Sequence, residues 1–186
     1  EGLTASLVTP SRMSLVARDA FNGVLLWKKP ISRWQTRFWP LKSGPSQLPR
    51  RLVAAGDTVY ATLGIDAPLT AIDAASGKTA RTYDGTKATT EILLDDGTLY
   101  LVVDPSLDTA KYTDRRRVNT PWWQEGRAVR VAAVDAAGGK IRWRHESAVM
   151  PLTLTAGGEG VFFHDGEKVV CLAKSDGTVR WRTDPV

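Results

Sequence analysis

Few side chains in this 186-residue sequence are suited to catalysis. There are two histidines, His145 and His164, and one cysteine, Cys171. Two histidines with Asp66 or Asp165 make an adequate donor set for zinc, but their spacing follows no metal motif, and exposed loop histidines are the expectation. A lone cysteine excludes an intrachain disulfide and any cysteine-paired metal site, and within the alternating stretch KVVCLA it reads as a buried, inert thiol. Two glycine-rich stretches look at first like phosphate loops: GGEG at 157–160 and AVDAAGGKIRW at 133–143. Neither opens a helix after a strand, and the sequence lacks G-x-S-x-G, G-x-x-x-x-G-K-[ST] and H-E-x-x-H. No catalytic, metal or cofactor-binding residue is assigned.

Aromatic and basic residues offer binding chemistry instead. KPISRWQTRFWPLKSGPSQ at 29–47 and DPSLDTAKYTDRRRVNTPWWQEGR at 104–127 gather Trp34, Arg37, Trp39, Arg115, Arg116, Arg117, Trp122 and Trp123. Tryptophan and arginine are enriched where binding energy concentrates, and long loops on rigid scaffolds often carry function. Two readings stay open: a binding surface, or tryptophans that plug the loops they belong to. Interleaved aromatic and basic residues also suit single-stranded nucleic acid. Asp104, Asp108, Asp114 and Glu125 crowd the one arginine triplet, so nucleic acid is not the expected partner.

The elements that would position these loops come from a repeat. ARDAFNGVLLW at 17–27, AIDAASGKTAR at 71–81, AVDAAGGKIRW at 133–143 and CLAKSDGTVRW at 171–181 share one layout. An acidic residue is followed four places on by glycine and four further by tryptophan: Asp19, Gly23, Trp27 and Asp135, Gly139, Trp143. The second copy keeps Asp73 and Gly77 with Arg81 last; the fourth keeps Gly177 and Trp181 but starts at Ala173. Residues before each copy alternate as a half-buried strand does, and the glycine supplies the positive φ of a tight hairpin whose aspartate accepts backbone N–H groups. The tryptophan then lies on the return strand, to pack between neighbouring sheets.

A second element repeats upstream: AGDTVYATL at 55–63, DDGTLYLVV at 95–103 and GGEGVFFHD at 157–165, each preceded by a short apolar strand. The result is four strands per unit, and no helical stripe appears anywhere. Four-stranded antiparallel units in series predict an all-β fold, a β-propeller segment. The interval from Asp135 to Ala173 is close to the ~40 residues of a bare blade; the two earlier intervals are longer by the insertions. One domain over 1–186 is expected, with blades at about 48–83, 89–146 and 150–183, an incomplete blade at 1–29, and insertions at 30–47 and 104–127. One insertion joins two blades and the other joins second to third strand, which places both on one face.

The pattern A-x-D-A-x-x-G-x-x-x-W, with its upstream turn and aromatic strand, resembles the PQQ-like repeat of quinoprotein-type propellers from about residue 15 to 182. That resemblance implies docking roles for the glycine and tryptophan, and a periplasmic or otherwise extracytoplasmic bacterial protein. Members include dehydrogenases and a scaffold lipoprotein of outer-membrane assembly. The dehydrogenases use a vicinal cysteine pair above PQQ and a calcium held by carboxylate and amide groups. Here there is one cysteine, and Asn22 and Asn119 are the only asparagines, so no cofactor is expected. Such propellers have seven or eight blades. The expectation is therefore a piece of a longer propeller that serves as a scaffold or protein-binding module, two copies pairing to close a ring. The alternative is part of a quinoprotein-type oxidoreductase whose catalytic blades lie elsewhere.

Composition is compatible with this and adds little. Lys and Arg number 25 against 20 Asp and Glu, a net charge of +5 that favours anionic surfaces only mildly. No uncharged apolar run approaches the ~20 residues that span a bilayer.

Overall fold

The computed structural model describes residues 13–32, 50–107 and 128–185, and every regular element among them is a β-strand. Ser14–Arg18 (β1) and Leu25–Pro30 (β2) pair antiparallel as a two-stranded sheet. Leu52–Ala55 (β3), Thr58–Thr62 (β4), Leu69–Asp73 (β5) and Thr79–Thr82 (β6) form the second sheet. Thr89–Asp95 (β7), Thr98–Val103 (β8), Val129–Asp135 (β9) and Ile141–Ser147 (β10) form the third. Thr155–Gly157 (β11), Gly160–His164 (β12), Val169–Ala173 (β13) and Val179–Arg182 (β14) form the fourth. In each four-stranded sheet, neighbours in sequence are neighbours in space, the meander of a propeller blade. The fold is thus a β-propeller segment of three four-stranded blades and the two strands of another.

The last hairpin of each sheet, β1–β2, β5–β6, β9–β10 and β13–β14, is built the same way. Asp73 N–H donates to Lys78 O and Gly77 N–H to Asp73 O, both at 2.9 Å. Ala173, which has no carboxylate, keeps both backbone bonds, to Thr178 O at 2.8 Å and from Gly177 at 2.9 Å. Asp176 braces that turn instead, its Oδ1 accepting from Thr178 N–H at 2.9 Å. The backbone therefore defines the turn, and the carboxylate reinforces it from whichever position holds one. Gly77 has φ 70° and Gly177 φ 74°, in the left-handed region that side chains rarely enter.

Apolar cores lie between blades rather than within them. Tyr60, Ala71 and Tyr83 of the second blade meet Ile92, Leu99, Leu101 and Val134 of the third. Tyr100, Ala133 and Trp143 of the third meet Leu154, Val161, Val170 and Leu172 of the fourth. Sandwiched between two blades, β8 is buried along its whole length, which is why TLYLVV reads as a nearly continuous apolar run. Each such buried side chain contributes ~1.5–3 kcal/mol through apolar area removed from water.

The innermost strands are tied by a polar hub. Arg50, just before β3, donates through Nη2 to Glu91 Oε1 on β7 and to the carbonyls of Leu152 and Leu154 before β11. Glu91 Oε2 in turn accepts the Leu152 N–H at 3.0 Å. Burial lifts the Glu91 carboxyl above its ordinary 4.5, and the Arg50 guanidinium and the Leu152 N–H pull it back only in part. Three blades thus converge on one ion pair whose carboxylate oxygens each accept a hydrogen bond, from Arg50 and from the Leu152 N–H.

Candidate functional site: the insertion face and the junctions beneath it

Each blade presents one row of side chains to the next. The rows are Val53-Tyr60-Ala71-Arg81, Leu93-Tyr100-Ala133-Trp143 and Thr155-Phe162-Cys171-Trp181, matched across β-ladders. Trp143 packs against Tyr100 in a tilted arrangement with ring centroids 5.9 Å apart and donates its indole N–H to Lys174 O at 2.7 Å. Trp27 does the same to Ala74 O at 2.7 Å. A Cβ built on Gly177 would lie 2.5 Å from Trp143, and one on Gly77 2.7 Å from Trp27. These glycines therefore serve twice, by their φ and by leaving room for an indole.

Arg81 and Tyr83 divide this role in the second blade. The Arg81 side chain lies over Gly139, 3.2 Å from the position a Cβ would take, while the Tyr83 hydroxyl donates to Ala136 O at 2.5 Å. Burial pushes the Tyr83 hydroxyl up to about 12, so it stays a donor at any ordinary pH. The repeat does not single out Tyr83, and the missing tryptophan at position 81 is the one signal that points to it. Asp19, Gly23, Asp73, Asp135 and Gly139 all lie in the hairpins described above. Trp181 differs from its counterparts: it is 46% exposed, because among the described residues no sheet follows β14 to cover it.

The roots of both insertions lie on one face. Ser32 N–H, just beyond β2, donates to Leu63 O at 3.0 Å in the loop after β4. In that same loop Asp66 O accepts the Ala88 N–H, and Ala88 O accepts the N–H of Asp104, the first residue after β8. The candidate binding residues Trp34, Arg37, Trp39, Arg115, Arg116, Arg117, Trp122 and Trp123 lie outside the described residues.

Beside the second root is a cleft of about 500 Å³ between the second and third blades. Asp66, Lys87, Asp104, Leu107 and Arg130 are among its lining residues. Asp104 is fully buried and its Oδ1 accepts from Ser106 N–H at 3.1 Å, which turns the chain sharply as it leaves β8. Thr86 and Thr89 flank the lining residues Lys87 and Ala88 and fix their backbone: Leu69 N–H donates to Thr86 Oγ1 at 2.9 Å, and Thr89 Oγ1 to Thr86 O at 2.6 Å. A cleft with two basic and two acidic groups suits a mixed-charge polar surface rather than a strongly anionic ligand. Lys87 and Arg130 belong to no motif, since only the packing of two blades brings them together.

The histidines depart from the expectation of exposed loop residues. His145 lies within β10, half-buried, with its ring 6.5 Å from that of Phe163. Desolvation, then the charge of Arg182, holds its pKa below the ordinary 6.5. His164 ends β12 and accepts the Gly166 N–H on Nδ1 at 3.0 Å. Their difference has a simple cause: β10 runs on to Ser147, so position 145 is covered by the next blade. Among the described residues no three His, Cys, Asp or Glu side chains cluster as a metal site. Cys171 is buried in β13 as a free thiol.

The family model described as outer membrane protein assembly factor BamB matches residues 127–186, from β9 through the fourth blade. BamB from Moraxella catarrhalis superposes with a TM-score of 0.56 at 14% identity, over 95% of this chain and 46% of that one. Quinohemoprotein alcohol dehydrogenase from Comamonas testosteroni gives 0.56 at 16% identity, over 95% and 33%. The computationally designed Ika4 protein gives 0.52 at 14% identity, over 77% of each chain. No curated protein matches the chain. It spans less than half the length of either natural relative. The architecture is accordingly that of a β-propeller segment, as in these structures, and residues 127–186 match the BamB family model.

Proposed function

We propose that this chain is a non-enzymatic propeller segment that binds a protein partner through the face bearing its two insertions. The observation that carries this reading is the convergence of both insertion roots on one face beside a mixed-charge cleft, above blades whose distinctive residues are used in docking. A repeated framework with variation confined to loops is the usual division of labour in repeat scaffolds. Similarity of residues 127–186 to an outer membrane protein assembly factor favours a partner of that kind and an extracytoplasmic location. The Trp34, Trp39, Trp122 and Trp123 side chains would supply the aromatic anchors, and Arg37 and Arg115 to Arg117 the charged ones.

The likeness to quinohemoprotein alcohol dehydrogenases raises the second reading, part of an oxidoreductase. The residues here do not fit the PQQ-site chemistry that likeness implies. Cys171 is buried in a strand with no second thiol, and Asn22 Oδ1 accepts Val24 N–H at 2.9 Å within its own turn.

A photocrosslinkable residue at position 122 or 39 should capture the same partner in the native envelope, and one on the opposite face, at Asp96, should not. Replacing Trp122 and Trp123 with Ala should abolish capture with the unfolding midpoint nearly unchanged. A large loss of stability would place these tryptophans as plugs. Saturable PQQ uptake with calcium, followed by absorbance, would favour the oxidoreductase.

A further inference from the structure

The cleft between the second and third blades carries more positive charge than its carboxylates engage. Asp104 Oδ1 accepts from both the N–H and the hydroxyl of Ser106, at 3.1 and 3.2 Å, and Asp66 is likewise engaged within the chain. Arg130 pairs with Glu146 on the neighbouring strand, Nε to Oε1 at 3.1 Å, an exposed pair that binds either partner only weakly. Lys87 and Arg144 differ from these: among the described residues none pairs with either side chain. Arg144 reaches from β10 across to Gly85, its Nη2 2.9 Å from where a Cβ of Gly85 would sit. Both cations therefore border one short loop, Gly85 to Lys87.

That loop adds donors of its own. Gly85 and Lys87 line the cleft, and their backbone N–H groups meet no acceptor among the described residues. Ala88, next in the chain, has φ 62°, a left-handed conformation that a non-glycine residue seldom adopts. Bonds on both sides hold it there, from its N–H to Asp66 O at 3.3 Å and from Asp104 N–H to its carbonyl at 3.1 Å. Backbone fixed in such a conformation recurs at ligand clamps, and turn N–H groups beside cations suit an anion. Apolar residues complete the wall: Ala88, Val103, Pro105 and Leu107 line the cleft, whose volume of about 500 Å³ is that of a small-ligand site. A carboxylate alone makes no use of an apolar wall. The end of a polypeptide does, because its last residue bears a carboxylate and a side chain on one carbon, whereas aspartate and glutamate hold theirs at the tip of a polar arm. Asp66 and Asp104 nearby favour the single charge of a carboxylate over a phosphate.

We propose that this cleft captures the C-terminal end of a partner polypeptide, with the carboxylate between Lys87 and Arg144 and the last, apolar side chain against Val103 and Leu107. Capture of a chain end by backbone donors is an established mode of peptide recognition. The cleft opens at the root of the second insertion, so its role rests on the reading of that face as a protein-binding surface and names the chemistry of the partner.

Fluorescence anisotropy of the 186-residue chain with a fluorescein-labelled pentapeptide ending in leucine tests this. The free-acid peptide should bind saturably, and amidating its end should weaken binding ~10-fold or more, the effect of losing a charge-assisted hydrogen bond. Replacing the terminal leucine with glycine should weaken it further. Lys87→Gln and Arg144→Gln should each cost ~10-fold, and Lys87→Arg should keep most of the affinity. Lys140→Gln, which removes the same charge from the outer hairpin of the same blade, should leave binding unchanged. All three positions are exposed, and the unfolding midpoint checks that each variant folds. No saturation up to ~1 mM, an amide that binds like the acid, an amidated peptide with an internal glutamate that binds as well, or equal losses from Lys87→Gln and Lys140→Gln would each overturn the proposal. Photocapture at positions 39 and 122 separates the two readings. Capture that persists without peptide binding sinks the cleft alone, and specific peptide binding without capture supports the cleft while the insertion residues lose their role.

Discussion

Replacing Trp143 with alanine tests the docking geometry most directly, because Trp181 serves as its control in the same chain. Trp143 is 7% exposed, contacts Tyr100, covers Gly177 and bonds the Lys174 carbonyl at 2.7 Å across the junction. Trp143→Ala removes an indole from a packed site that cannot collapse, since both sheets are held by their own ladders. Such truncations cost ~3–5 kcal/mol. For a chain of this size each kcal/mol moves the midpoint by ~2–4 °C, so a fall of about 6–20 °C is expected. Trp181 has the same register and the same kind of aromatic neighbour but is nearly half exposed, and Trp181→Ala should cost ~1 kcal/mol or less. Urea unfolding followed by far-ultraviolet circular dichroism measures both, at a dilution where the chain is single. A cost under ~1 kcal/mol for Trp143, or equal costs for the two, would refute a docking role for the tryptophan at this register.

Further perturbations have equally definite outcomes. Gly177→Ala combines a left-handed backbone penalty of ~1–2 kcal/mol with a collision against Trp143, and should cost clearly more than Gly23→Ala, where the backbone penalty acts alone; paired urea curves check the difference. Tyr83→Phe should cost ~1–2 kcal/mol by stranding the Ala136 carbonyl, and the same assay reads it. Asp73 is held below its ordinary 3.8 by Ser76, Asp135 by Arg142 and the Gly138 N–H, and Asp176 by Thr178. Their stabilisation is present above 3.8 and is lost as pH falls through the lower folded values. His145, held below 6.5, likewise contributes above 6.5 and costs stability on acidification, whereas Glu91, lifted above 4.5, contributes below 4.5 and loses it as pH rises. Urea midpoints against pH should therefore dip below 6.5, a limb that His145→Gln removes, and fall again below 3.8, a limb that Asp135→Asn reduces.

The fold is legible in the sequence because its information is local and repeated. A-x-D-A-x-x-G-x-x-x-W encodes a hairpin whose bonds span a few residues, and period-two alternation identifies the strands around it. Relations between blades are not legible in this way. The Arg50–Glu91 hub joins residues far apart in sequence, and neither carries a motif. The cleft between Asp66, Lys87, Asp104 and Arg130 exists only once two sheets pack. Tyr83 stands two residues beyond the position the repeat assigns to the anchor, so pattern matching registers Arg81 as a defect where the structure has a shared solution. His145 escapes the loop expectation because β10 runs past it to Ser147, and the length of that strand decides what covers it. The sequence pattern thus marks the framework and the insertions that interrupt it, but not which framework residues meet across a gap.

Apart from the Arg50 hub, which also reaches the fourth blade, blades pack on their immediate neighbours, so the stability of this chain approaches that of a short one-dimensional array, a sum of blade terms and junction terms. The third blade has a filled junction on each side, whereas the two-stranded first sheet and the fourth blade have one each. Amide protons of β8 and β9 should exchange only on global unfolding, and those of β1, β2 and β14 should exchange through local fraying at far lower free energy. The second insertion leaves the array at Asp104, directly off β8. The second insertion is therefore rooted in a strand that is buried along its whole length and has a packed core on each side, the part of the array expected to open last.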